Sequence, residues 1–264
     1  MEAHIRIQKV NKVFASGRRE IVALQDISLD IAPGQFTCLL GPSGCGKSTL
    51  LNAVAGFSHP TGGSILVDGA PVTGPGPERG MVFQEYALFP WMTVEKNVAF
   101  GLEIKGLAKA RIAGTVEKLL HMLSLSEFRT RYPKDLSGGM RQRVAIARVL
   151  ALDSPIMLMD EPFGALDALT RRNLQDELLR IWMETKKTIL FVTHSIEEAI
   201  YLADRIVVMT YRPGTVKRDI LVDLPRGRDP ASPAFNDLKR ELGQLVMEEQ
   251  QRHHQDERRM AAVD

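Results

Sequence analysis

Apolar residues between positions 4 and 40 fall in short runs, and those at 5–10, 21–24, 27–31 and 36–40 read as strands punctuated by Ser16-Gly17 and Pro33-Gly34. Two more strands are expected at 65–67 and 81–84, separated by Asp68-Gly69 and by Gly74-Pro75-Gly76-Pro77. The period then changes. Residues 93–152 read as helical, with Ile112, Val116, Leu119, Leu120 and Leu123 forming a core-facing stripe. From 156 strand and helix alternate: a strand at 156–159, a helix marked by Leu174, Leu178 and Ile181, a strand at 188–193, a helix at 196–203 and a strand at 206–209. Alternation of this kind implies a mostly parallel sheet covered on both faces. The expected fold class is therefore α/β, with antiparallel strands at the front and an inserted helical block. After Pro225 to Pro230 a helix is expected through Leu238, Leu242 and Leu245, and the polar end EEQQRHHQDERRM reads as a solvated or frayed tail.

Composition sets limits. Apolar residues make up 44% and charged residues 25% of 264, ordinary values for a globular chain. A net charge of +2 is too small to suggest a nucleic-acid surface, so no nucleic-acid partner is expected. Cys38 and Cys45 suggest neither a disulfide nor a zinc site and favour a reducing compartment. His253 and His254, without a nearby Cys or an acidic geometry around them, read as an ordinary pair rather than a metal site. No apolar run reaches membrane-spanning length and MEAHIRIQKV lacks a signal-peptide core, so a cytosolic or peripheral protein is expected.

The chemistry begins at Gly41-Pro42-Ser43-Gly44-Cys45-Gly46-Lys47-Ser48-Thr49, which fits G-x-x-x-x-G-K-[ST] between a buried strand and a helix. Glycines let successive N–H groups turn inward onto anionic oxygens, and the helix N-terminus adds its positive end. Lys47 brings a charge to the β- and γ-phosphates, and Ser48 brings a hydroxyl to Mg²⁺. The expected ligand is a nucleoside triphosphate with Mg²⁺.

Asp160 and Glu161 end an apolar strand, and unpaired carboxylates are costly inside a sheet. At a strand's C-terminal end they become useful, Asp160 for the Mg²⁺ shell and Glu161 for polarising an attacking water. His194 follows another strand and is placed to contact the γ-phosphate, while Gln84 offers an amide to metal or water. Ser137-Gly138-Gly139, ahead of a helix, reads either as a second anion nest or as an ordinary Ser-Gly cap.

GPSGCGKST, Gln84, LSGGMRQR, IMLMDEP, GALD and His194 stand in the order found in ABC-transporter ATPase subunits, and over roughly residues 5–215 the chain resembles them. The resemblance implies a P-loop ABC-ATPase fold with an N-terminal antiparallel β subdomain and an inserted helical subdomain at about 90–153. The nucleotide-binding domain would span 1–225, followed by a C-terminal helical extension and tail at 226–264. It also implies a head-to-tail dimer, in which Ser137, Gly138 and Gly139 bind the γ-phosphate in trans, Asp167 contacts the opposite subunit and Phe14 stacks on adenine. The loop from Gln84 to Trp91 would face the coupling helix of a separate permease. LFPWMTVEKNVAFGL, THSIEEAIYLADRIVVM and LPRGRDPASPAF are similar to the branch serving nitrate, sulfonate, taurine or bicarbonate importers. Implied partners are a second copy, transmembrane permease subunits and, indirectly, a periplasmic or extracellular solute-binding protein. The implied location is peripheral, at the cytoplasmic face of the inner membrane. Two other classes are a soluble ABC ATPase and a non-hydrolysing regulatory subunit. The short block between Lys47 and Ser137 and the presence of Glu161 and His194 count against them.

Overall fold

The computed structural model describes residues 3–16 and 19–261; the turn expected at Ser16-Gly17 and the last tail residues extend outside them. By their contacts Pro77–Lys187 form one unit, and the described residues before and after that segment form another.

The unit that opens the chain starts with β1 (Ile5–Ser16), β2 (Arg19–Ile31) and β3 (Phe36–Leu40), followed by α1 (Lys47–Ala55), β4 (Gly62–Val67) and β5 (Ala70–Pro71). β2, β1, β4 and β5 pair antiparallel in that order. The strands expected at 21–24 and 27–31 are one continuous strand. The interruption between them is a bulge, where Asp26 takes φ 48° and donates its N–H to Asn11 Oδ1 at 3.0 Å.

Within Pro77–Lys187, β6 (Arg79–Val82) leads into α2 (Val94–Ile104), α3 (Lys109–Met122), α4 (Gly138–Ala151), β7 (Ile156–Asp160) and α5 (Ala168–Thr185). β6 and β7 pair in parallel, with Val82 opposite Met159. α4 packs on α2, α3, α5 and β6. The helical stretch expected at 93–152 is thus three helices, with 3-10 turns at Ser126–Phe128 and Pro133–Asp135. On α3 and just after it the stripe Val116, Leu119, Leu120 and Leu123 is buried, each such side chain contributing ~1.5–3 kcal/mol.

The other unit resumes with β8 (Thr188–Thr193), α6 (Ile196–Leu202), β9 (Arg205–Met209), β10 (Val216–Leu221) and α7 (Pro233–Ala261). β3 lies between β8 and β9, parallel to both, and β10 runs antiparallel to β9. Every residue of β3 and β8 is buried, the near-continuous apolar pattern of strands covered on both faces. α1 packs against β8, α6 against β3 and β8, and α7 against α6 and β9.

The polar end is helix rather than frayed, since α7 continues to Ala261, and it is solvated as expected at Gln250, Gln251, Arg252 and His254; Leu242 and Val246 before it and Glu249 within it are buried. Their spacing of four and three residues puts them on one face, so an acid sits in an apolar stripe. Among the described residues no helix is long and apolar enough to cross a membrane.

Candidate functional site: the phosphate loop and its partners

β3 and β8 end side by side, with Leu40 opposite Thr193. The chain therefore delivers Gly41 and His194 to one edge of the sheet, where open α/β sheets place their ligands. Gly44 and Gly46 take φ 78° and 95°, and Gly46 caps α1. A Cβ on Gly46 would stand 2.7 Å from Leu24 Cδ2 and 2.9 Å from the Ala23 carbonyl, so glycine is required there both for its φ and for the approach of β2.

Lys47 is only 4% exposed. Its Nζ donates to the carbonyls of Gly41 at 2.8 Å and Pro42 at 2.9 Å and lies 3.7 Å from Cys45 Sγ. A buried ammonium needs such acceptors, and these hold it over the mouth of the loop. Ser43, Gly44 and Ser48 are exposed, and Thr49 is half-buried. Burial pushes the Cys45 thiol above its ordinary value and the Cys38 thiol well above, so both stay protonated and serve packing. Phe14 on β1 is 43% exposed, and Lys12 Nζ lies 5.1 Å from its ring centroid. An exposed ring of this kind has the open face that a planar base stacks on.

In Pro77–Lys187, Asp160 closes β7 and Glu161 turns the chain at φ 42°, a left-handed conformation that costs a non-glycine residue ~1–3 kcal/mol. Both acids are half-buried, and the Glu161 carbonyl accepts the Gly164 N–H at 3.1 Å. β6 ends at Val82 rather than at Gln84, so Gln84 stands exposed in the following loop, at the same end of the pair as Asp160. The Asp160 carboxylate and the Gln84 amide at this end of the strand pair are hard oxygen donors, the chemistry Mg²⁺ takes.

Ser137 caps α4, its hydroxyl accepting the Met140 N–H at 3.3 Å. A Cβ on Gly139 would lie 2.5 Å from Thr170 Cγ2 of α5, so this glycine is fixed by helix packing. A Cβ on the half-buried Gly138 would lie 3.2 Å from the Tyr86 hydroxyl. Asp167 caps α5 by accepting the Thr170 N–H at 3.0 Å, and that bond holds its carboxyl below the usual range.

Three residues that sequence reasoning missed tie the loop after Gln84 to its surroundings. Arg148 on α4 donates to the carbonyls of Ala87 at 2.7 Å and Tyr86 at 3.3 Å, two residues at φ 47° and 60°. The Arg141 guanidinium carbon lies 5.4 Å from the Tyr86 ring centroid. Asn97, fully buried on α2, accepts the Phe89 N–H at 2.9 Å and donates to the Phe89, Met92 and Thr93 carbonyls. Only Asn97 left a signal, an amide among Val94, Val98 and Leu102. Phe89 packs on Phe100, while Trp91 is 70% exposed beside it.

A glycine loop that turns a buried strand into a helix, with a lysine folded over it, is the phosphate site of P-loop ATPases. Within that class the chain belongs to the ABC transporter family, whose family description matches residues 24–164. It is 47% identical over 238 residues to the nitrate import ATP-binding protein NrtD of Synechocystis, covering 90% of each chain. It is 48% identical over 239 residues to the taurine import ATP-binding protein TauB of Roseobacter denitrificans, covering 87% of this chain and 89% of that one. Among solved structures, the dimeric, post-hydrolysis ATP-binding cassette MJ0796 bound to ADP and phosphate matches with TM-score 0.75 at 32% identity, over 84% of this chain and all of that one. The fold is that of the ABC ATPase cassette, and the activity of the class is ATP hydrolysis.

Proposed function

We propose that this chain is the ATP-hydrolysing subunit of an importer for a small oxyanion or sulfonate of the nitrate or taurine type, working as a dimer beneath a separate permease. The observation that carries the reading is the end-to-end likeness to import ATP-binding proteins in a chain that keeps Glu161 directly after Asp160. The domain that binds nucleotide is taken as 1–225, with 226–264 as its extension.

One chain holds one phosphate loop and one Ser137-Gly138-Gly139 segment. Two complete sites then need two copies about a two-fold axis. Gly41 to Thr49 would grip the phosphates of one ATP, with Lys47 on the β/γ oxygens and Phe14 against the base. Ser137, Gly138 and Gly139 of the other copy would close on the γ-phosphate, with Asp167 meeting the opposite subunit. Glu161 would take the proton of the attacking water while His194 orients that water against the γ-phosphate. Ser48, Gln84 and Asp160 would hold Mg²⁺, which neutralises charge on the phosphate oxygens when bound. The loop from Gln84 to Trp91 would carry closure to the permease, with the exposed Trp91 in contact and Arg148 and Asn97 keeping the loop stiff. The permease supplies the membrane anchor, which places this subunit at the cytoplasmic face.

Purification from detergent-solubilised membranes of the native cell tests the reading. A polytopic membrane partner whose presence stimulates ATP hydrolysis is expected; exclusively soluble partners would overturn it.

A further inference from the structure

Residues 210–215 pack against the phosphate loop at Gly44 and Cys45. Gly214 approaches so closely that a Cβ there would lie 2.2 Å from the Cys45 carbonyl, and Arg212 Nε reaches the Gly44 carbonyl at 3.4 Å. Gly214 is also tied to β2, donating to Ala23 and accepting from Gln25, both at 3.0 Å. The segment is stiff in itself. The Thr210 hydroxyl donates to the Pro213 carbonyl at 2.7 Å and accepts the Thr215 N–H at 2.8 Å.

What holds this brace from behind is α7. Glu249 is fully buried, and its Oε2 accepts the Tyr211 N–H at 2.9 Å while Oε1 receives Lys217 Nζ at 2.6 Å. Four residues on, the His253 ring stacks on Tyr211 with centroids 4.2 Å apart. Two residues join Tyr211 to Gly214, so the chain of contacts from α7 to the phosphate loop passes through one backbone segment with no flexible link. The buried carboxylate is compensated by the Tyr211 N–H on one oxygen and by Lys217 and Arg252, the latter at 3.3 Å, on the other, so it is held in one place.

We propose that Glu249 is a positioning residue for nucleotide binding: through residues 210–215 it sets the backbone of Gly44 and Cys45, making the C-terminal helix a lever on ATP affinity. This rests on the reading of Gly41 to Thr49 as the nucleotide site. Because the brace acts on the loop and not on the acids after β7, it bears on affinity and KM rather than on the chemical step.

The test is equilibrium binding of a fluorescent ATP analogue to the full chain, with steady-state ATPase kinetics alongside. Glu249→Ala is expected to weaken binding about tenfold and raise KM in step, with kcat within about twofold, the scale of one buried charge-assisted hydrogen bond. Glu249→Gln, which keeps an acceptor for the Tyr211 N–H, is expected to restore most of the affinity. Arg212→Ala removes an exposed side chain and so leaves folding intact; it is expected to weaken binding about threefold, as loss of one long hydrogen bond would. Lys239→Ala cuts the ion pair between α7 and Glu197 without touching 210–215 and is expected to change nothing. Wild-type affinity in both Glu249→Ala and Arg212→Ala overturns the proposal, and so does an equal loss in Lys239→Ala, which would mark a general loosening of α7. Lys47→Ala in the same titration reports on the nucleotide site itself, so failure of that reading and failure of this one are told apart.

Discussion

Gly139 and Asp153 show how single positions answer to different forces. At Gly139 the limit is space: an added methyl meets Thr170 Cγ2 at 2.5 Å. Overpacking of ~1–3 kcal/mol outweighs the roughly 1 kcal/mol that alanine gains over glycine in a helix. Gly139→Ala is therefore expected to lower the urea midpoint, and adding Thr170→Ser to recover it; an unchanged single variant would contradict the packing account. At Asp153 the force is electrostatic. The hydrogen bond from Lys187 at 2.8 Å holds its carboxyl below the usual value. A depressed carboxylate contributes stability above its unfolded pKa, ~3.9, and loses it as pH falls through the lower folded value. Asp153→Asn is thus expected to be less stable than the parent at neutral pH and to match it in acid. A constant gap across a pH series of denaturation curves would refute the pairing. The candidate residues that the sequence offered, Lys47, Asp160, Glu161 and His194, stood out through chemistry compressed into short spacings at strand ends. Glu249 and Arg148 were not legible, because each acts on backbone groups far away in sequence and leaves no local pattern.

Among elements, strands bounded by glycine and proline and the helical stripe of α3 were read correctly, since burial on a regular period writes itself into the chain. One reading failed and one held in part, for identifiable reasons. Residues 21–24 and 27–31 fused because Asn11 bridges the bulge at Asp26, a side-chain contact across the sheet. The polar end from Glu248 is solvated as expected at Gln250, Gln251, Arg252 and His254, but it is helix rather than frayed because the stripe of Leu242, Val246 and Glu249 docks α7. The loop before α2 illustrates the converse, an irregular segment made rigid by one amide. Asn97→Ala would leave the Phe89 N–H and three carbonyls without that partner, at a cost of about 1–3 kcal/mol. Faster amide exchange confined to 89–93 is the expected signature, and unaltered exchange there would show that Asn97 is dispensable.

For the whole molecule, the α/β class and the cassette family followed from ordered motifs, whereas the proposed pairing of copies rests on counting: one phosphate loop and one Ser137-Gly138-Gly139 segment per chain. Binding of ATP should then draw two chains together, and removal of the water's base should hold them there. The most direct measurement is the mass of purified Glu161→Gln by light scattering with and without Mg-ATP, with phosphate release followed in the same sample. Twice the monomer mass is expected only with Mg-ATP, and phosphate release at least about a hundredfold below wild type, the lower end of what a general base supplies. A variant that stays monomeric with ATP and releases phosphate at the wild-type rate would contradict that expectation.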